Sequence, residues 1–182
     1  DGEERTRFLL NDDRGGFMVN WGYIWRAENG DADAGVIPKE VVADLGWARY
    51  PKVTPGEDSR PPFGGIELGI SSYGKYKDTF AVEAVKCITS TENMKFYMLD
   101  SGNPAARASV YDDPEVRREF PMAGLIRESI DAAAPRPITP YYTDVSGAVQ
   151  SRWHPPASVN PATTPGQSAT FIRQVLRDEA LL

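Results

Sequence analysis

The chain has 182 residues, and its 41% hydrophobic and 25% charged content is ordinary for a globular protein large enough to bury a core. Its net charge is −6, and no basic cluster is longer than a pair of residues, which excludes the electrostatic signature of a nucleic-acid-binding protein. A single cysteine, Cys87, and a single histidine, His154, exclude a Cys/His zinc site and an intrachain disulfide. We therefore expect no metal and no cofactor.

The chain opens with a predicted helix. Residues 3–10 have helical character, and residues 11–16, which are polar and rich in glycine, indicate a turn. Phe17-Met18-Val19 is typical of a short buried strand, and residues 21–25 predict the start of the next helix. The first helix is already under way where the sequence begins, and it carries no signal peptide. We therefore expect a fragment whose upstream half is missing.

The next stretch predicts loops around one strand. Residues 28–35 are acidic and small, which is typical of a loop. Leu45 to Tyr50 predicts a strand that ends at Pro51. Lys52 to Pro62 contains three prolines, and it predicts an exposed and extended linker.

A strand and two helices follow the linker. After the glycine pair Gly64-Gly65, residues 66–70 alternate apolar and small or polar side chains, which predicts a half-buried strand. The apolar residues between Phe80 and Ile88 repeat with helical spacing. Thr91 is a candidate cap for a second helix, which Gly102 would end.

Helices dominate the last third of the chain. Asp113-Pro114 is a strong helix start, and the apolar stripe from Met122 to Ala133 continues it. Tyr142 to Trp153 predicts another helix, which the run His154-Pro155-Pro156 stops. Thr164-Pro165-Gly166-Gln167 has the pattern of a capping box at the start of a last helix.

Aromatic side chains lie at the breaks between these elements. Trp21 and Trp25 follow a predicted strand, and Tyr141 and Tyr142 follow a proline-bounded loop that begins at Arg136. A sugar ring has an apolar face and an equator of hydroxyls, so its site needs flat aromatic surfaces together with rigid hydrogen-bonding groups. From the residues alone, a core position is the competing interpretation for both Trp residues. The same competition holds for the two Tyr residues.

Four segments, in one order along the chain, share a common resemblance. Asn11 to Trp21 resembles the segment in which a strand delivers a ligand-stacking Trp in extracellular solute-binding proteins of ABC importers. Pro62 to Ile66 resembles the glycine pair of that family at the crossover between lobes, and Gly102 to Arg107 resembles its turn after the crossover helices. Arg136 to Tyr142 resembles the loop that sets an Arg and a Tyr against the disaccharide in maltose and trehalose binders. The chain thus resembles family 1 of these proteins, of the maltose/trehalose-binding type.

This resemblance implies an α/β fold of the periplasmic-binding-protein-like, two-lobed kind (type II), present here as a C-terminal fragment. Residues 1–62 and 109–182 would belong to the C-terminal lobe, and residues 63–108 would cross back to the N-terminal lobe. The stretch from Trp153 onward resembles the trehalose-binding lipoproteins of mycobacteria.

The resemblance also implies which residues bind the ligand. Trp21 would stack on a sugar ring, Gly64 and Gly65 would offer backbone contacts, and Arg136 would hydrogen-bond sugar oxygens. Tyr142 would line the cleft, and Tyr141 and Trp25 are further candidates that complete the predicted set. Relatives that bind the same sugars often carry a Trp after the glycine pair, where this chain has Ile66.

The implied function is the sugar-binding component of an ABC importer, which takes up trehalose or a related disaccharide and catalyses nothing. Its partners would be membrane permease subunits and the missing N-terminal half, and its place would be extracytoplasmic, at the cell surface, with a lipid anchor. A carbohydrate-active enzyme is one alternative and would need two facing carboxylates, for which Glu67 and Asp144 are the nearest candidates. An interaction module without a small ligand is the other alternative.

Overall fold

The computed structural model describes residues 2–12 and 15–182. This part of the chain is built from nine α-helices and from two short 3₁₀ helices, Ala108–Asp112 and Pro156–Ser158. The α-helices in chain order are α1 (Glu3–Leu10), α2 (Ile24–Asp33), α3 (Lys39–Ala43), α4 (Phe80–Ile88), α5 (Thr91–Ser101), α6 (Pro114–Glu119), α7 (Ala123–Asp131), α8 (Tyr142–Trp153) and α9 (Thr164–Val175). Across these ranges, no helix is both long enough and apolar enough to cross a membrane.

The chain divides into two compact units. The first unit ends at Ala134, and the second unit spans Pro135–Leu182. This boundary differs from the predicted segment boundaries at 62 and 108, which concern the two lobes of the implied fold. The assignment of the segments 1–62, 63–108 and 109–182 to lobes stays a prediction.

The core of the first unit lies where α5, α6, α7 and the first 3₁₀ helix meet. Its buried members are Met98, Ala105, Val110, Tyr111, Val116, Phe120, Met122 and Ala123. The one phenol in this cluster is satisfied, because the Tyr111 hydroxyl donates a hydrogen bond to the carbonyl oxygen of Ala105 at 2.7 Å. Burial raises the pKa of Tyr111 to about 12. The core therefore joins residues from both sides of the predicted boundary at 108.

The ends of α5 and α6 follow from local sequence. The hydroxyl of Ser90 accepts a hydrogen bond from the backbone N–H of Asn93 and caps α5, so the prediction of Thr91 as the cap was wrong by one residue. Gly102 ends α5 in the left-handed conformation, as predicted. Asp113 caps α6 by accepting from two backbone N–H groups, and Pro114 occupies the first helical position.

The second unit is a pair of packed helices. The guanidinium of Arg152 on α8 stacks over the ring of Phe171 on α9, 3.9 Å from its centroid. Gly147 lies against the Leu182 side chain, which a Cβ at position 147 would meet at 3.0 Å. The predicted capping box of α9 is absent, because Thr164 is the first helical residue and its hydroxyl accepts from the N–H of Asn160.

Two helical predictions need correction. Residues 28–35 are not a loop, since α2 continues to Asp33 and buries Glu28 and Ala32 on the side of Ile24. A glutamate in a sequence usually indicates an exposed position. Burial of Glu28 could not be predicted locally, because its cationic partner lies elsewhere in the chain. The stripe from Met122 to Ala133 does not continue α6, because the chain breaks between Glu119 and Ala123 before α7 begins.

The three predicted strands are not paired in the described part of the chain. Residues 17–19, 45–50 and 66–70 lie outside any helix or strand, and one isolated parallel bridge joins Pro62 to Ala134. A strand needs a neighbour to satisfy its backbone, whereas a helix satisfies its own. Many apolar side chains of these segments are accordingly exposed, as in Phe17 and Ile66, whereas Met18 and Leu45 are half-buried.

We expect Gly102→Ala to destabilise the first unit by about 2–4 kcal/mol. Gly102 has φ 76°, and an added Cβ would lie 2.7 Å from Arg26 Cβ and 2.9 Å from Tyr23 Cα. Gly35 is the matched control, because it has φ 74° at the end of α2 with nothing within 4 Å of its Cβ position. Gly35→Ala should cost only about 1 kcal/mol. Urea unfolding followed by circular dichroism measures both, and equal losses would contradict the role of the close approach.

Candidate functional site

Trp21 lies in the segment that connects α1 to α2. Its side chain is 47% exposed, and its indole Nε1–H donates a hydrogen bond to Glu3 Oε1 at 3.3 Å. Its backbone N–H donates to the side-chain oxygen of Asn20 at 2.8 Å, and Asn20 in turn donates to the Glu3 carbonyl oxygen at 3.0 Å. The indole is therefore attached along one edge and accessible over much of its surface.

A buried ion cluster holds α1 against α2. Arg7 of α1 is 6% exposed, and its Nη1 atom lies 3.2 Å from Glu28 Oε1 and 2.6 Å from Asp31 Oδ2, both on α2. Its Nη2 atom lies 3.0 Å from Glu4. Burial disfavours the charged guanidinium, but hydrogen bonds to these three carboxylates outweigh it and raise the pKa of Arg7. Glu28 is fully buried and also accepts a hydrogen bond from Asn11 Nδ2 at 2.8 Å.

Tyr23 links the same cluster to the segment that carries Trp21. Its hydroxyl donates to Glu4 Oε1 at 2.7 Å. Hydrogen bonds from Tyr23 and Arg7 lower the pKa of Glu4, while desolvation and the Glu4 carboxylate raise the pKa of Tyr23 to about 12. A charged acceptor and a neutral donor therefore coexist across neutral pH, and the contact strengthens the attachment of the Trp21 segment to α1.

Trp25 is packed in the first unit. Its Nε1–H donates to the carbonyl oxygen of Glu119 at 2.7 Å, and its ring meets Trp47 edge to face at a centroid distance of 5.5 Å. It also packs against the buried core. These contacts account for the indole without a ligand and agree with the core interpretation left open by the sequence.

The glycine pair lies in an exposed segment of the first unit. Gly64 and Gly65 are exposed, and a Cβ added at Gly65 would meet no atom within 4 Å. Neither residue has a positive φ, so nothing in the local backbone requires glycine here. Their role as close-approach points for a ligand stays a prediction.

The remaining predicted residues belong to the second unit. Arg136 lies in the exposed loop that precedes α8. Tyr141 is 59% exposed, and Tyr142, the first residue of α8, is half-buried. The backbone N–H groups of these two tyrosines donate to the Oγ1 and to the carbonyl oxygen of Thr139, respectively, which fixes the turn into the helix.

The structure therefore brings four of the predicted residues, Trp21, Trp25, Gly64 and Gly65, into the first unit. Arg136, Tyr141 and Tyr142 lie in the second unit, and the convergence of all of them on one pocket stays a prediction. Sequence reasoning did not identify the residues that attach the Trp21 segment to α1 and α1 to α2, namely Glu3, Glu4, Arg7 and Tyr23. The charged first turn of α1 was the available signal, but charges at a helix start are usually explained by the helix dipole alone.

A separate cavity of about 480 Å³ opens in the first unit, beside the turns that flank α5. It is lined by Thr89, Thr91, Ala106, Arg107, Ala108 and Ser109, none of which belongs to the predicted set. The Arg107 side chain donates to the carbonyl oxygen of Thr89, which ties the turn after α5 to the end of α4. This contact gives the arginine a structural role.

The two carboxylates considered for an enzyme have ordinary settings. Glu67 is exposed in the segment after the glycine pair. Asp144 lies in the first turn of α8, where a negative charge complements the helix dipole.

Comparison with known proteins gives the fold. No protein-family model matches the chain. It superimposes on a maltose-bound structure of MalE3 from T. maritima with a TM-score of 0.73 and 26% sequence identity, over 98% of this chain and 43% of that one. This is a periplasmic-binding-protein-like fold. The α/β class predicted from the resemblance is thereby confirmed at the level of the fold, although the described part of the chain is helical.

A curated relative agrees with this fold. The chain is 26% identical over 153 residues to a probable ABC transporter-binding protein of Deinococcus radiodurans, which covers 82% of this chain and 34% of the relative. The chain spans about a third of that relative and less than half of MalE3. The relative is named as a binding protein, and the MalE3 structure is maltose-bound. The chain is thus similar in sequence to a probable ABC transporter-binding protein and in fold to MalE3.

We expect Arg7→Met to destabilise the first unit by about 3–5 kcal/mol, because it leaves the fully buried Glu28 carboxylate without its cation. Glu28→Gln should cost only about 1–2 kcal/mol, since Arg7 keeps its contacts with Asp31 and Glu4.

Arg5 is the matched control, because it is exposed on the same helix. Arg5→Met should change the free energy of unfolding by less than about 0.5 kcal/mol. Urea unfolding measures all three variants. An Arg7→Met variant as stable as Arg5→Met would show that the cluster does not hold the two helices together.

Proposed function

We propose that this chain is part of the sugar-binding component of an ABC importer. The observation that carries the proposal is the structural match with maltose-bound MalE3 over 98% of the chain, together with 26% identity. The relationship to a probable ABC transporter-binding protein supports the transporter assignment. The protein would then act outside the cytoplasm and deliver its ligand to permease subunits in the membrane, without catalysing a reaction.

The predicted residues supply the kinds of contact that a sugar requires. Trp21 offers an exposed indole face for the C–H groups of a ring. Arg136 has a planar guanidinium whose N–H groups can donate to hydroxyl oxygens, and Tyr142 adds a half-buried phenol. Backbone groups at Gly64 and Gly65 can approach a ligand closely, because no side chain shields them.

Within the sugars, we propose trehalose or a related disaccharide as the ligand. The support is the resemblance of residues 136–142 and of the stretch after Trp153 to trehalose binders. Ile66 stands where related binders often have an aromatic platform. Recognition in this protein would therefore depend more on hydrogen bonds than on stacking, which suits a ligand with many hydroxyls. A lipid anchor at the cell surface is part of the same proposal.

Ligand capture would couple to transport through closure of two lobes. A sugar that contacts both lobes binds the closed form more tightly than the open form, and this difference shifts the population toward closure. The permease would then recognise the closed form. The free energy for transport comes from a separate ATPase, so this protein supplies only binding and shape.

Calorimetry with a panel of disaccharides, on the protein as the cell makes it, tests the proposal. We expect trehalose or a close relative to bind, and Trp21→Ala and Arg136→Ala each to weaken binding by about 1–3 kcal/mol, or about 5- to 150-fold in Kd. Loss of a stacking face and loss of charged donors are the physical reasons.

Two control variants accompany these. Trp153→Ala removes a 40% exposed indole, and Arg173→Ala removes an exposed guanidinium on α9, and neither residue belongs to the predicted site. Both should bind like wild type. If all four variants bind alike, the assignment of the site is wrong. If the protein turns over a disaccharide, the enzyme alternative replaces the binding proposal.

We also propose that the chain works with a partner that presents the edge of a β-sheet, namely the N-terminal half of such a binding protein. Every residue from 62 to 80 is exposed, including seven large apolar or aromatic side chains. These are Phe63, Ile66, Leu68, Ile70, Tyr73, Tyr76 and Phe80. An apolar surface of this extent marks an interface.

The sequence pattern of this exposed segment favours a β-strand that would pair with the sheet edge of the partner. Ile66, Leu68 and Ile70 alternate with Glu67 and Gly69, so that a strand here would have one apolar face. Pairing with a sheet edge would satisfy the backbone and bury that face at the same time. The chain matches only 43% of MalE3. This partial match supports a partner polypeptide that corresponds to the remainder of such a fold.

Hydrogen exchange measured by mass spectrometry tests the partner. We expect amides 64–70 to exchange at least about tenfold more slowly in a polypeptide that also contains the proposed N-terminal half than in this 182-residue chain, because strand pairing protects them. Leu68→Lys should abolish the protection by charging the apolar face. Glu67→Lys, which changes the opposite face, should keep it. Equal exchange in the two proteins would rule out strand pairing.

A further inference from the structure

The first turn of α1 contacts the Trp21 segment at three points, and a fourth hydrogen bond lies within that segment. Glu3 accepts hydrogen bonds through its side chain from the Trp21 indole and through its carbonyl oxygen from Asn20. Asn20 accepts from the Trp21 backbone N–H, and Glu4 accepts from the Tyr23 hydroxyl. Backbone and side chain of Trp21 are thus both oriented from the same helical turn.

This turn is itself fixed in place. Arg7 lies one turn further along α1 and is anchored to α2 through Glu28 and Asp31. Arg7 and Glu28 are almost completely buried, so their ionic contact is shielded from water. A shift of α1 would break this contact and leave buried charges unpaired. Glu3 therefore offers its carboxylate to the indole from a rigid support.

The contact uses the single polar atom of the indole. Trp has one donor, Nε1–H, and no acceptor, so a hydrogen bond to Glu3 leaves the ring with no polar group for a ligand. Trp21 is 47% exposed, and a ligand that reaches its indole would meet carbon atoms of the ring.

We propose that Glu3 is a positioning residue for Trp21, and that Trp21 contributes to the site by stacking alone. This inference rests on the proposed function, which assigns Trp21 to the sugar site. A ring held in one rotamer loses less conformational entropy when a ligand binds. Because its N–H is already hydrogen-bonded to Glu3, the ring cannot donate to a sugar hydroxyl and so cannot discriminate between hydroxyl patterns. The selectivity among disaccharides then belongs to the other predicted residues.

The first test is spectroscopic and needs no ligand. In a ¹H–¹⁵N spectrum, each of the four tryptophans gives one indole N–H signal, and the signal of Trp21 is the one missing in Trp21→Phe. We expect Glu3→Leu to move this signal alone upfield and to speed its exchange with water. Glu3→Gln keeps an acceptor oxygen and should restore the wild-type position. Glu92→Leu, at an exposed first-turn glutamate of α5, should leave all four signals unchanged.

The second test is affinity, measured by calorimetry with the disaccharide that the panel identifies. We expect Glu3→Leu to weaken binding by about two- to tenfold, the entropic cost of one side chain that is no longer held. Glu3→Gln should bind like wild type. The ranking of the disaccharides in the panel should be the same in Trp21→Phe as in wild type, because stacking does not distinguish hydroxyl patterns.

The two readouts separate this inference from the proposed function. An unchanged Trp21 signal in Glu3→Leu overturns the positioning role, whatever the protein binds. Unchanged affinity in Glu3→Leu, in a protein whose Trp21→Ala variant binds weakly, also overturns it. If Trp21→Ala binds like wild type, the proposed site fails, and the indole signal still decides whether Glu3 orients Trp21.

Discussion

The ion pair between Arg7 and Glu28 is the interaction on which the first part of the structure depends. A guanidinium and a carboxylate that are almost fully buried would be costly without each other, so their presence forces α1 and α2 into one arrangement. The chain between the two helices contains Trp21, and that arrangement decides where the indole lies. The buried ion pair between Arg7 and Glu28 thereby determines the position of the exposed Trp21 ring.

The two tryptophans of this region show how burial divides similar residues between roles. Trp25 uses its N–H on a backbone carbonyl and its ring on Trp47, and so it stabilises the unit. Trp21 uses its N–H on Glu3 and keeps nearly half of its surface exposed. The exposure of this hydrogen-bonded ring costs free energy through its apolar surface, and the proposed binding role would account for that cost.

The sequence predicted those parts of the fold that depend on neighbouring residues. The helix start at Asp113 and the helix end at Gly102 are confirmed, because a cap or a left-handed glycine acts within one turn. Residues 28–35 were predicted wrongly because Glu28 is stabilised by Arg7, 21 residues earlier. The attachment of Trp21 to Glu3 could not be predicted for the same reason, since an indole N–H has many possible acceptors and the tertiary structure selects one.

The predicted strands raise a different physical issue. A helix closes its hydrogen bonds within itself and therefore forms wherever its apolar face finds some cover. A strand leaves its N–H and C=O groups open until a second strand arrives, so the alternation at residues 66–70 specifies a strand without being able to complete one. Within the described residues no second strand pairs with this segment, and its apolar side chains are exposed, such as Ile66 at 82% exposure. The helical character of the described residues and the α/β nature of the fold they match are therefore compatible. The missing sheet pairing is the physical basis for proposing a partner of the same fold.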